Sequence, residues 1–180
     1  MNKISIDNSS SAITDAFLNL NKHGFHCIEN VFDKSLQNKF AKEIAQLISK
    51  NGKRYFSLVN VMSNESFAFK DLRDDIQITS FLSSLSSLML NRKVSKSDSL
   101  NVLRVITGKK TETQTFQFHY DAYCLTALVP LIIPEGEIET SGHLVSFPNL
   151  RKIRSYFFIN IIEKLFFQNK IMRVIMSNFV

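Results

Sequence analysis

In the stretch "TFQFHYDAYCLTALVPLII", residues 115–133, a histidine and an aspartate stand one residue apart within a pattern that otherwise reads as buried β-strand. A titratable side chain in a strand interior costs several kcal/mol unless it finds a partner, so the pair needs a physical reason. Residues two apart on a strand project to the same face. His119 and Asp121 therefore offer an imidazole nitrogen and a carboxylate oxygen side by side, while Tyr120 points the other way. The pair has two readings. It is hydrogen-bonded, to itself or to solvent, near a strand end; or it supplies two of the three protein ligands of a 2-His-1-carboxylate facial triad, which holds non-haem Fe(II) and leaves coordination positions open. The alternation extends outward. Thr115, Gln117, His119, Asp121 and Tyr123 share one polar face and Phe116, Phe118 and Tyr120 the other, as on a strand lining a polar cavity inside a barrel.

Other chemistry-bearing patterns are weaker. His23, His26 and Cys27 cluster, but no second cluster stands at structural-zinc spacing. Cys27 and Cys124 form no C-x-x-C pattern, and the expectation is two free, buried thiols. The phosphate-loop, dinucleotide and nucleophile-elbow patterns are absent from the sequence. "TGKKT" at 107–111 reads as a hairpin turn with exposed lysines.

These residues must be positioned by a folded body, and composition supports one. The 180 residues are 44% hydrophobic and 21% charged, enough for one domain with a core. No apolar run reaches the roughly 18 residues that span a bilayer. The N-terminus is polar, so no membrane span and a cytoplasmic location are expected. The net charge of +6 is unevenly spread: residues 1–150 carry +1 and residues 151–180 carry +5. With the body almost neutral, and with basic and aromatic residues not interleaved on one strand, no nucleic-acid partner is expected.

Hydrophobic period places the elements. "NSSS" at 8–11 reads as a helix start, Ile13, Ala16, Phe17 and Leu20 recur at helical spacing, and "KHG" is a stop. "FHCIENVF" (25–32) reads as a strand. Asp33 caps a helix over 34–50 with Leu36, Phe40, Ile44, Leu47 and Ile48 as its stripe. Residues 54–69 read as extended, 76–90 as an amphipathic helix, "LNVLRVITG" as a strand, "KKTET" as a turn, and the strand with "HYD" comes next. Helices first and strands later favour an α+β domain over an alternating βαβ sheet.

"NKHGFHCIENVF" followed by a helix, then "LNVLRVITG", then "FHYDAYCLTALVPLIIPEGEIETSGHLVSFPN" resembles the iron(II)- and 2-oxoglutarate-dependent dioxygenases, most closely their phytanoyl-CoA dioxygenase-like group. The resemblance covers most of residues 20–150. It implies a partial double-stranded β-helix of jelly-roll or cupin-like form, with N-terminal helices and a C-terminal helical segment. It also implies Fe(II) and 2-oxoglutarate as cofactors, His119 and Asp121 as the first two iron ligands, and hydroxylation of a small organic substrate. Strand facing adds Asn101, Gln117 and Tyr123 as pocket-lining candidates, and Arg104 or Lys110 as a cation for a carboxylate.

The family pattern also needs a distal histidine with a nearby cation. After Asp121 the sequence contains one histidine, His143, in "SGHLVSFPN"; it falls too early for that position and reads as a turn residue. Residues 1–150 are accordingly expected to hold the helices and a partial jelly roll. Residues 151–180 are expected to form a basic amphipathic helical segment, with Ile153, Tyr156, Phe157, Ile161, Leu165, Ile171 and Ile175 facing a core or a partner; such a pattern suits a membrane surface, a partner groove or, as the favoured reading, a helical insertion packed on the body of a longer protein. This pattern is compatible with a shortened enzyme, with a chain whose barrel is completed by another, and with a remnant that keeps the scaffold and acts as an interaction module.

Overall fold

The structure, a computed structural model, describes residues 4–59, 67–95, 101–107, 124–133, 157–167 and 169–177. They combine six helices with one two-stranded antiparallel sheet.

The first helix, α1 (Ser10–His23), starts where the Ser9 hydroxyl accepts from the Ala12 N–H at 3.2 Å. It ends at Gly24, whose φ of 78° takes the left-handed conformation that glycine adopts without steric cost. The second, α2 (Lys34–Asn51), is capped by Asp33, which accepts from the Leu36 N–H at 2.8 Å. Strand β1 (Phe56–Val59) leads toward α3 (Phe67–Asp74), and α4 (Ile76–Leu90) begins after the single residue Asp75. The Asp75 carboxylate accepts from the Gln77 N–H at 2.9 Å and the Ile78 N–H at 3.0 Å, two donors that α4 leaves without intrahelical partners. Replacing Asp75 by alanine is expected to cost about 0.5–2 kcal/mol. Urea denaturation monitored by circular dichroism measures this, and an unchanged midpoint would show that the cap contributes nothing.

Two apolar clusters hold the body together. In one, Leu36, Phe40 and Ile44 of α2 pack with Phe69 of α3 and with Ile4, bordered by Phe32, Leu72 and Leu103. In the other, Ala16 of α1 meets Phe81 and Leu85 of α4, bordered by Ile13, Phe17 and Leu20. The N-terminal strap joins them: Ile4 enters the first cluster and Ile6 the second. Its backbone is tied down at both ends. Ser5 N–H donates to the Val31 carbonyl at 3.0 Å, Ile6 N–H donates to Gln77 Oε1 at 2.9 Å, and Asn8 Nδ2 donates to the Gln77 carbonyl at 3.1 Å.

Four expectations are corrected. Residues 25–31 form no strand; Phe32 makes one isolated bridge, to Ile4, and Asn30 at φ 56° interrupts the extended run. Strand geometry needs a continuous hydrogen-bonded neighbour, which this segment lacks among the described residues. Residues 67–69, expected as extended, open α3. Residues 124–133 form no strand, and Pro130 there has no N–H to give a ladder. Cys27 and Cys124 are free but exposed.

Candidate functional site

Among the described elements, the sheet carries the candidate residues that lie nearest in sequence before the H-x-D pair. Strand β2 (Val102–Val105) pairs antiparallel with β1, setting Phe56 opposite Val105, Ser57 opposite Arg104, Leu58 opposite Leu103 and Val59 opposite Val102. Strand period divides these pairs by face. Val105 is buried and Leu103 packs against the first cluster, with Phe56 and Leu58 on the same side. Ser57, Val59, Val102 and Arg104 make up the exposed outer face.

This parity separates two of the candidate residues. Asn101, just before β2, is half-buried, whereas Arg104 is exposed on the outer face, three residues away and so on the other side of the strand. One pocket can draw on one of them from this strand.

His119, Asp121, Gln117 and Tyr123 lie outside the described residues, as do Lys110 and His143. The segment Cys124–Ile133, immediately downstream, runs as irregular chain across the body, with Leu125 packed on the second cluster and Leu131 on the first. Two apolar anchors six residues apart thus fix the chain just after the H-x-D pair.

For a metal, the H-x-D pair offers one imidazole nitrogen and one carboxylate oxygen, a donor set suited to Fe(II) but one ligand short of a facial triad. Among the described residues there is no group of three or more His, Cys, Asp or Glu placed to hold a metal ion. His26 lies with Nδ1 3.2 Å from Asn19 Nδ2, and His23 and Cys27 are exposed. Ion pairs among the described residues include two in the helical layer. Lys39 pairs with Asp71 at 3.2 Å, and Arg73 forks onto Asp74 at 2.7 and 2.8 Å. The hydrogen bond to Asp74 holds the Arg73 guanidinium above its ordinary pKa. At the surface such pairs contribute little to stability.

The C-terminal helices present a second surface. Here α5 (Phe157–Phe167) and α6 (Lys170–Ser177) are separate helices, and Asn169 starts the latter by accepting from the Met172 N–H at 2.8 Å. Ile161, Leu165, Ile171 and Ile175, expected to face a core or a partner, are all exposed. No helix among the described residues is long and apolar enough to cross a membrane.

No family model, curated protein or solved structure matches the chain.

Proposed function

We propose that the chain is a non-haem Fe(II)- and 2-oxoglutarate-dependent oxygenase of a small organic substrate, built on a partial jelly roll of the phytanoyl-CoA dioxygenase-like kind. The observation that carries this reading is the H-x-D pair, His119 and Asp121, on the polar face of an otherwise apolar strand pattern. It is supported by the "LNVLRVITG" segment, which supplies β2 and packs Leu103 against the helical core.

In this reading His119 and Asp121 hold the metal. The bound iron supplies activation of dioxygen coupled to decarboxylation of 2-oxoglutarate, the hard chemistry that a cofactor brings. The chain's own contribution is to orient the two donors from a stiff backbone, to line the cavity with Gln117 and Tyr123, and to exclude water with the apolar residues around them. Of the two candidates beside β2, Asn101 is the one partly turned away from solvent, so it is the one proposed there for contact with a bound acid. Arg104 faces outward, which leaves Lys110 as the other cation proposed for a carboxylate.

The test is succinate release from 2-oxoglutarate by the purified chain with Fe(II), dioxygen and ascorbate as the reductant in place of substrate. The reading expects release that depends on Fe(II) and is lost in His119→Ala. Folded chain that releases no succinate above the metal-free background would overturn the catalytic reading. The second reading, an interaction module acting through the basic C-terminal segment, is favoured by the exposed apolar residues of α5 and α6.

A further inference from the structure

We propose that α5 and α6 form a docking surface for an anionic membrane, lying in its headgroup region without crossing it. This stands apart from the oxygenase reading and rests on different residues.

The apolar part is set by helical spacing. At about 100° per residue, Ile161, Ile162 and Leu165 fall within about 100° of arc on α5, and Ile171 and Ile175, four apart, share a stripe on α6. In a helix that served the core these positions would be covered. Instead Ile162 is 66%, Leu165 67% and Ile171 73% exposed, with Ile161 and Ile175 also open to solvent. Single exposed apolar residues are ordinary; five on two consecutive short helices make a patch of the kind that marks an interaction surface.

The charge selects the occupant. Residues 151–180 carry six Lys or Arg against one acidic residue, of which Lys164, Lys170, Arg173 and the single Glu163 belong to α5 and α6, while residues 1–150 are nearly balanced. A neutral apolar groove on another protein gives no reason for that concentration of cations. An anionic leaflet does: basic residues approach the headgroups while the isoleucine and leucine side chains enter the acyl boundary, the arrangement of interfacial amphipathic helices. Neither helix is long enough to span, as a surface-lying segment requires no span.

The test is co-sedimentation of the full chain with phosphatidylcholine vesicles containing about one-third phosphatidylserine, against pure phosphatidylcholine vesicles, at low and high salt. The proposal expects partition to the anionic vesicles only, weakened by salt. Replacing Lys164, Lys170 and Arg173 together by glutamine is expected to weaken it roughly a hundredfold. The exposed pair Leu165→Gln and Ile171→Gln is expected to weaken it by roughly tenfold or more, with the circular dichroism melt of the body unchanged because neither side chain is in the core. Three results would overturn the proposal. They are no partition to anionic vesicles, binding indifferent to both sets of substitutions, or a concentration-dependent dimer that the Leu165 and Ile171 substitutions abolish in the absence of vesicle binding, in which case a second copy of the chain covers the face.

Discussion

Phe40→Ala is expected to destabilise the protein by about 3–5 kcal/mol, the range for removing a fully buried aromatic ring and leaving its cavity. Phe40 is 1% exposed in the centre of the first cluster. Its ring meets Phe32 edge-on, with centroids 5.6 Å apart and planes at 79°, and stacks on Phe69 at 5.6 Å and 21°. Aromatic pairs in these geometries contribute beyond their buried area. The ring also joins three parts of the chain, since Phe32 lies before α2 and Phe69 on α3. With total stability in the usual range of about 5–15 kcal/mol, the loss is a large fraction of the whole. For a chain of this size it corresponds to a fall in Tm of roughly 6–20 °C. The matched control is Phe25→Ala, at a ring 58% exposed, for which a change within about 0.5 kcal/mol is expected. Equal effects at the two positions would contradict the placement of the core.

Ala16→Leu should be nearly as damaging for the opposite reason. Ala16 is 0% exposed, held where α1 lies against Phe81 and Leu85 of α4. A leucine there adds three heavy atoms at a fully buried helix contact, and overpacking of this kind costs about 1–3 kcal/mol through strained rotamers and displaced backbone. It should also loosen the strap, because Ile6 borders the same cluster and Gln77 at the start of α4 holds the Ile6 N–H. Hydrogen exchange at Ile6 is the direct readout: faster exchange together with a lower urea midpoint is expected. A stabilised Ala16→Leu chain would show that α1 and α4 are farther apart than described.

The helices were legible where two independent signals agreed. For α1 the Ser-rich start, the period of Ile13, Ala16, Phe17 and Leu20, and the glycine stop all mark one segment, and α2 has Asp33 and a long stripe. Where a single signal stood alone, tertiary context decided. The alternation in 25–32 matched a strand, but Asn30 turns left-handed and no strand neighbour among the described residues continues the bridge at Phe32. Helix α3 is eight residues long and opens with "FAF", aromatic residues that equally suit an extended chain. The Ile4 and Ile6 strap is illegible locally, because its partners lie on helices many residues away. For the candidate site, strand facing offered Asn101 and Arg104 together, without assigning them to opposite faces of β2. Only burial of Val105 and exposure of Arg104 separate Asn101 from Arg104. His119, Asp121, Gln117 and Tyr123 rest on spacing and resemblance, being outside the described residues. The exposed positions of α5 and α6 show the limit of period alone, which identifies an apolar stripe but not what covers it.

The most direct measurement of the central claim is anaerobic titration of the purified chain with Fe(II) in the presence of 2-oxoglutarate, monitoring the weak visible charge-transfer absorption produced when the 2-oxo acid chelates an open iron site. A saturable band that is lost in His119→Ala and Asp121→Ala, with both variants folded by circular dichroism, is the predicted result. Folded wild-type chain that develops no band, or a band unchanged in both variants, would contradict an iron site at the H-x-D pair.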